Sequence, residues 1–180
     1  ELRKGTVFES GGRPYLVLDY RHTKMGRGTA NVKVKVRDLK SGATLEKTFI
    51  SGASVEGAEV VRKKAQYLYS DSQNLYFMDL QSFEQFSFSR RSGARALDFL
   101  REGAETILLF FRNEPVSIEL PLKVELKVAE APPGRRGDTK QGGTKEAALE
   151  TGYKLSVPTF IKIGDLVRVN TETGEYVERV

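Results

Sequence analysis

The sequence contains no cysteine and only one histidine, and these two shortages exclude several kinds of site. Without cysteine the chain has no disulfide, no thiol nucleophile and no cysteine-ligated zinc. Because His22 is the single histidine, no histidine pair is available to hold a metal. A hydrolase with a Ser-His-Asp triad would have to use His22, which lies among cations without an orienting carboxylate beside it in the sequence. The lack of cysteine also predicts a cytoplasmic protein.

Long apolar segments are also missing. The longest run, residues 107–111, has the length of a strand, so the sequence predicts no membrane span. Residues 1–5 contain no apolar stretch of the kind that secretion signals have. Phosphate-binding loops are not recognisable either, because Gly26 and Gly28 lack the third glycine of the dinucleotide motif. We therefore expect neither a membrane partner nor a bound nucleotide cofactor.

Strand patterns dominate what is present. Val32, Val34 and Val36 alternate with polar residues, and this period of two is typical of a half-buried strand. Turn residues separate such segments every 8 to 12 residues or so, which predicts an all-β protein of small barrels or sandwiches. A single short helix is predicted, over residues 92–101, with Gly103 at its end.

Three units follow from the spacing of these strands: residues 1–59, 60–121 and 122–180. About four strands are predicted in the first unit, and five strands with the helix in the second, which fits an OB-fold. In the third unit we predict four strands and a polar loop over residues 131–145. The first unit has 11 basic and 7 acidic residues, whereas the second has 8 of each and the third has 10 and 9.

Basic residues concentrate between positions 21 and 47, a stretch that contains eight cations but only two acidic residues, Asp38 and Glu46. The cations are Arg21, Lys24, Arg27, Lys33, Lys35, Arg37, Lys40 and Lys47. Residues 21–29 form a long basic connection between two strands that a two-residue turn could join. Gly26 and Gly28 would let Arg27 approach a phosphate or a base closely. A polyanion contact is predicted here, with a solvated loop as the alternative.

Two further segments allow two interpretations each. Residues 132–143 combine prolines, glycines, Asp138 and Thr139, which suits either a flexible linker or a loop that reads base edges. The second unit is rich in aromatic residues, whose spacing favours core packing over base stacking. These aromatic residues are Tyr67, Tyr69, Tyr76, Phe77, Phe83, Phe86 and Phe88.

Residues 145–164 match every fixed position of the pattern K-x-A-x4-G-x2-[LIV]-x-V-P-x2-[LIV]-x2-G. The matching residues are Lys145, Ala147, Gly152, Leu155, Val157, Pro158, Ile161 and Gly164. This is the signature of bacterial elongation factor P, and the chain resembles that family over its whole length. The other similar segments, in family order, are the Gly26-Arg27-Gly28 tip and residues 46–49, 66–69, 83–85, 137–139 and 173–177.

The resemblance implies a fold and a function. The fold would be an L-shaped molecule with an SH3-like (KOW-type) first domain and two OB-type domains. The protein would bind the ribosome between the P and E sites and promote peptide-bond formation on consecutive prolines, without being an enzyme itself. Arg27, supported by Lys24, Gly26 and Gly28, would approach the CCA end of the P-site tRNA. Gly137, Asp138 and Thr139 would approach the mRNA codon in the E site, while Arg21, Lys33 and Lys35 would face RNA.

One position departs from the best-known family pattern. Many members carry a lysine at the tip that is β-lysylated, whereas this chain has Arg27, which lysine-specific chemistry cannot modify. Arg27 is then either rhamnosylated by a glycosyltransferase, as in an arginine-bearing branch of the family, or it acts unmodified. We expect a monomer that needs no other cofactor. An elongation-factor-P-like paralogue and a generic OB-fold protein that binds single-stranded RNA remain the alternatives.

Overall fold

The computed structural model describes residues 3–23, 31–50, 52–132 and 143–180. Within them the chain forms fifteen strands and one helix, arranged as three five-stranded antiparallel sheets. Each sheet is built from a consecutive stretch of chain, and each combines hairpins with one pairing between non-consecutive strands: β1 with β5, β6 with β9, and β11 with β14. The predicted all-β fold class is confirmed. The one helix among the described residues is too short to cross a membrane.

The first sheet has the strand order β4-β3-β2-β1-β5. Its strands are β1 (Val7–Ser10), β2 (Arg13–Thr23), β3 (Asn31–Asp38), β4 (Thr44–Ile50) and β5 (Glu56–Gly57). Along β3 the side chains alternate between exposed and buried, as the period of two predicts. The buried valines of β3 pack on Phe8, Tyr15 and Val17, and this cluster is the core of the first unit.

The second sheet has the order β10-β9-β6-β7-β8. Its elements are β6 (Val60–Ser70), β7 (Asn74–Asp79), β8 (Gln85–Ser89), α1 (Arg90–Leu97), β9 (Glu105–Phe111) and β10 (Glu114–Glu119). The prediction for the helix was wrong at both ends, since it begins at Arg90 and ends at Leu97. Just after the helix, the neighbouring residues Phe99 and Leu100 are buried in two different cores, that of the third unit and that of the second.

The third sheet has the order β13-β12-β11-β14-β15. Its strands are β11 (Lys123–Glu130), β12 (Thr144–Leu149), β13 (Lys154–Pro158), β14 (Leu166–Asn170) and β15 (Tyr176–Arg179). The polar loop predicted over residues 131–145 was wrong at its end, because β12 already begins at Thr144. Sequence reasoning missed this strand, whose alanines, lysine and glutamate have low strand propensity. Pairing with both β11 and β13 and the burial of Ala147 and Leu149 override that propensity.

The three units are packed against one another through apolar contacts. Leu39 of the first unit is buried with Leu109, Phe111 and Val116 of the second. Phe99 of the second unit is buried in the core of the third. Each joint therefore holds side chains that neither unit covers by itself.

Candidate nucleic-acid interface

One exposed face of the first sheet carries the predicted basic strip. Arg21 on β2 lies directly opposite Lys33 on β3, and Lys35 follows two residues further along β3 on the same face. All three side chains are exposed. They share this face because the intervening valines of β3 point into the core. The structure thus brings Arg21, Lys33 and Lys35 together. The spacing of Lys33 and Lys35 predicted that these two share a face, whereas the position of Arg21 depends on the register of β2 against β3.

Two carboxylates reduce the positive charge of this strip. Asp19 accepts a hydrogen bond from Arg21 at 3.3 Å, and Glu46 lies 3.1 Å from the Lys33 ammonium. Lys35 lies opposite both carboxylate-bearing residues but forms no ion pair with the described residues. Asp19 falls just before the basic stretch in the sequence, so the composition of that stretch does not reveal it. Lys35 is therefore the cation of the strip that is most available to an external phosphate.

A groove of about 1190 Å³ is lined by residues of all three units. Arg37 stands at its first-unit side, and Lys64 and Arg95 line it from the second unit. Glu119 also lines it, but its carboxylate is held by Arg62 at 3.1 and 3.2 Å. These residues lie far apart in the sequence, so no local pattern could have identified the groove.

The predicted tip residues Lys24, Gly26, Arg27 and Gly28 lie outside the described residues. The strands on either side of them are described, and β2 pairs with β3 up to Thr23 opposite Asn31. Residues 24–30 therefore join the two strands of a hairpin whose exposed face is basic.

Gly137, Asp138 and Thr139 also lie outside the described residues. The segment that contains them connects β11 to β12, two strands that pair antiparallel in the third sheet. The side chain of His22 is not described, and the described residues contain no group of three or more acidic or histidine side chains that could hold a metal.

The aromatic residues of the second unit divide into two sets. Tyr67, Phe77 and Phe88 are buried, and Phe86 packs edge-on against Phe110 at 4.9 Å, so core packing is confirmed for these four. For the other three the core prediction was wrong. They are Tyr69, Tyr76 and Phe83, of which Tyr69 and Tyr76 stack on each other and Phe83 lies in the turn after β7.

Models of three protein families match consecutive parts of the chain. They are the elongation factor P KOW-like domain over residues 1–55, the elongation factor P OB domain over residues 60–118, and the elongation factor P C-terminal domain over residues 124–179.

Whole proteins show the same similarity. Elongation factor P of Carboxydothermus hydrogenoformans is 42% identical over 180 residues, covering 100% of this chain and 97% of that protein. Elongation factor P of Moorella thermoacetica is 45% identical over 179 residues, with coverages of 99% and 97%. Among solved structures, eukaryotic translation initiation factor 5A from Methanococcus jannaschii aligns with a TM-score of 0.48 and 23% identity, over 65% of this chain and 88% of that one.

Proposed function

The chain belongs to the elongation factor P family and is a translation elongation factor, and we propose that it binds the ribosome between the P and E sites and relieves stalling at consecutive prolines. The observation that carries this proposal is the basic face of the β2–β3 hairpin, which leads from Lys35 through Lys33 and Arg21 toward the connection that contains Arg27. A hairpin whose exposed face is positively charged suits contact with an RNA backbone.

Arg27 is proposed to contact the CCA end of the P-site tRNA, with Lys24 beside it and Gly26 and Gly28 giving the backbone room. The factor breaks and forms no bond itself. It holds the acceptor end in a geometry that favours attack by the incoming amine, and such positioning can lower a barrier by several kcal/mol. Because proline is a poor nucleophile in this reaction, the gain is largest where several prolines follow one another.

Rhamnosylation of Arg27 by a glycosyltransferase is a further part of the proposal. A sugar on the guanidinium would lengthen the tip and add hydroxyl groups that donate and accept hydrogen bonds. Intact mass measurement of the protein from its natural source tests this part. Arg27 carrying one deoxyhexose supports it, and an unmodified mass shows that the arginine acts alone.

Gly137, Asp138 and Thr139 are proposed to contact the mRNA codon in the E site. An acceptor-only carboxylate close to phosphates is favourable only if it accepts from base amino groups, with Arg135, Arg136 and Lys140 offsetting its charge. Asp138→Ala should then reduce rescue of proline stalls to an extent that depends on the E-site codon. An equal loss for every codon would show that the segment has a structural role.

The main test is Arg27→Ala in a reconstituted translation system with a message that encodes a proline run. We expect relief of stalling to be lost while the melting temperature stays unchanged. Arg91→Ala, which removes an exposed arginine of α1, is the matched control and should keep full activity. Full activity of Arg27→Ala would refute the proposed mechanism.

Cosedimentation with ribosomes distinguishes the proposal from a generic RNA-binding OB-fold protein. We propose that one monomer binds each ribosome, in the cytoplasm. A factor of this kind binds ribosomes in preference to free RNA of similar length, whereas a generic binder shows no preference.

A further inference from the structure

Two tyrosines of the second unit stack on each other on the outer surface of its sheet. The rings of Tyr69 on β6 and Tyr76 on β7 are 4.7 Å apart between centroids and 24° from parallel. Tyr69 is 48% exposed, so one broad apolar surface of the pair remains in contact with solvent. Tyr69 thus presents an aromatic ring to solvent, a surface on which a planar group can stack.

The outward-facing residues of β7 and β8 beside this pair are uncharged, and two carboxylates lie nearby: Asp71 accepts from the Tyr76 hydroxyl and Glu105 lies opposite Gln66. Buried Leu75 and Phe77 of β7 point into the core, so Tyr76 and Met78 between and after them face outward. Met78 lies between Gln66 of β6 and Gln85 of β8, and Tyr76 lies opposite Ser87 of β8. We call this surface, formed by Tyr69, Tyr76, Gln66, Met78, Gln85 and Ser87, the tyrosine face. It presents amide and hydroxyl groups beside aromatic rings in a chain of which 29% is charged.

Hydrogen bonds hold the Tyr76 ring in position. Its hydroxyl donates to Asp71 at 2.9 Å, and the other oxygen of Asp71 accepts from the backbone amides of Gln73 and Asn74 at 2.7 Å each. The amides of Asn74 and Gln73 and the Tyr76 hydroxyl together hold the pKa of Asp71 below its usual value. The carboxylate therefore stays charged and the ring stays fixed before any ligand arrives.

A cation stands at the end of the tyrosine face. Arg90 donates from Nη1 to the Ser70 hydroxyl at 2.9 Å and to the Asp71 carbonyl at 2.8 Å, which holds the guanidinium beside the β6–β7 turn. None of its nitrogens lies within ion-pair distance of a carboxylate of the described residues. Nη2 and Nε therefore remain available as donors to a phosphate.

From this geometry we propose that the tyrosine face stacks an unpaired RNA base, with Arg90 binding a neighbouring phosphate. The face spans the first three strands of an OB-fold sheet, β6 to β8, and so includes the second and third strands, the region where such folds bind oligonucleotides. Stacking on Tyr69 is tolerant of base identity. Gln85 can hydrogen-bond to a base edge, and Gln66 keeps its side-chain oxygen as an acceptor while its amide nitrogen donates to the Gly103 carbonyl at 3.1 Å. The second unit has equal numbers of basic and acidic residues, so the cation that favours a nucleic acid here is Arg90, which can bind the phosphate next to a stacked base. This contact belongs to the middle unit and goes beyond the function proposed above.

Fluorescence anisotropy of a fluorescein-labelled, ten-nucleotide single-stranded RNA with the full chain tests the proposal. Tyr69→Ala and Tyr69→Leu should each weaken binding about tenfold, whereas Tyr69→Phe should bind like the unchanged protein because it keeps the ring. The slope of log K against log salt should be the same in all four proteins, since stacking releases no counterions. Phe160→Leu, an exposed aromatic of the third unit, is the control and should keep full affinity.

Photocrosslinking supplies a second measurement that does not depend on affinity. An RNA decamer with 5-bromouridine should crosslink to the tryptic peptide of residues 65–90, which contains both tyrosines. Full affinity of Tyr69→Leu, or crosslinks only outside this peptide, would overturn the proposal. Proline-stall relief that persists when this contact is absent would leave the proposed function standing, because the two tests use different residues and readouts.

Discussion

Asp38 is the residue on which the turn between β3 and β4 depends. Its carboxylate is buried and accepts from Arg13 at 2.8 Å and from the backbone amides of Lys40 and Ser41 at 2.9 and 3.2 Å. Burial alone would raise the pKa of Asp38, but the hydrogen bonds from Arg13, Ser41 and Lys40 outweigh it and the pKa lies below its usual value. The ionised form is therefore the one that stabilises the fold.

Asp38→Asn should lower the free energy of unfolding at pH 7 by about 1–3 kcal/mol, because an amide cannot replace a charged acceptor of three donors. The folded pKa lies below the unfolded one, so this stabilisation is complete above pH 4 or so and is lost as the pH falls through the folded value. Urea unfolding between pH 7 and pH 2.5 should show a smaller acid-dependent loss in the variant. Two parallel curves would contradict this account. Asp19→Asn, at an exposed site, is the control.

The face on which each residue of β3 lies could be predicted from the sequence, but its ion pairs could not. A period of two decides whether Lys33 and Lys35 face solvent, and it needs no knowledge of neighbouring strands. Their partners depend on register, and β2 shifts register between Val17 and Asp19. This irregularity places Asp19 opposite Lys35 and Arg21 opposite Lys33. No local sequence pattern specifies where such a shift occurs.

At the scale of the element, Lys33 and Lys35 of β3 allow a matched comparison, because they share one exposed face and differ in their ion pairs. The two lysines lie two residues apart on one strand and are both exposed, yet Lys33 pairs with Glu46 and Lys35 has no ion pair among the described residues. Only a lysine that contacts phosphate releases counterions when RNA binds.

Lys35→Gln should therefore reduce the slope of log K against log salt for ribosome binding by about 0.7–0.9, the value for one phosphate contact. Lys33→Gln should reduce the slope less, because the Lys33 ammonium already forms an ion pair with Glu46. Binding measured by cosedimentation between 50 and 200 mM salt provides the comparison, and Lys123→Gln on β11 serves as the control. An unchanged slope for Lys35→Gln would show that the strip faces solvent in the complex.

Elements whose stability is local were predicted better than those that depend on tertiary pairing. Strands with alternating valines were recognised, whereas β12 was not, since its residues Lys145, Glu146 and Ala147 favour helix in isolation. The predicted bounds of the helix were wrong for a similar reason. Residues 98–101 were predicted as helical, but Phe99 in this stretch is buried in the core of another unit, a contact that the local sequence does not specify.

At the scale of the whole molecule, the second and third units are joined by specific contacts around Phe99. The Thr151 hydroxyl donates to the carbonyl of Asp98 at 2.7 Å, and Thr171 donates to that of Pro121 at 2.7 Å. Arg95 donates to the carbonyl of Glu172 across the same joint. A factor that contacts RNA with more than one unit benefits from such joints, because less conformational entropy is lost when the units bind together.

Phe99 couples the stability of the third unit to the second, because its side chain completes the core of the third unit. Its side chain is 3% exposed, lies in the core formed by β11–β15 and stands 5.0 Å from the Tyr153 ring. Phe99→Ala should cost about 3–5 kcal/mol, and the loss should fall on the third unit although the residue belongs to the second. Hydrogen exchange should then speed up for residues 144–158 while residues 31–38 keep their protection, and Phe8→Ala in the first core should give the opposite pattern. Unchanged protection of residues 144–158 would mean that the third unit is stable without this side chain, and equal loss in all three units would mean that the molecule unfolds as one.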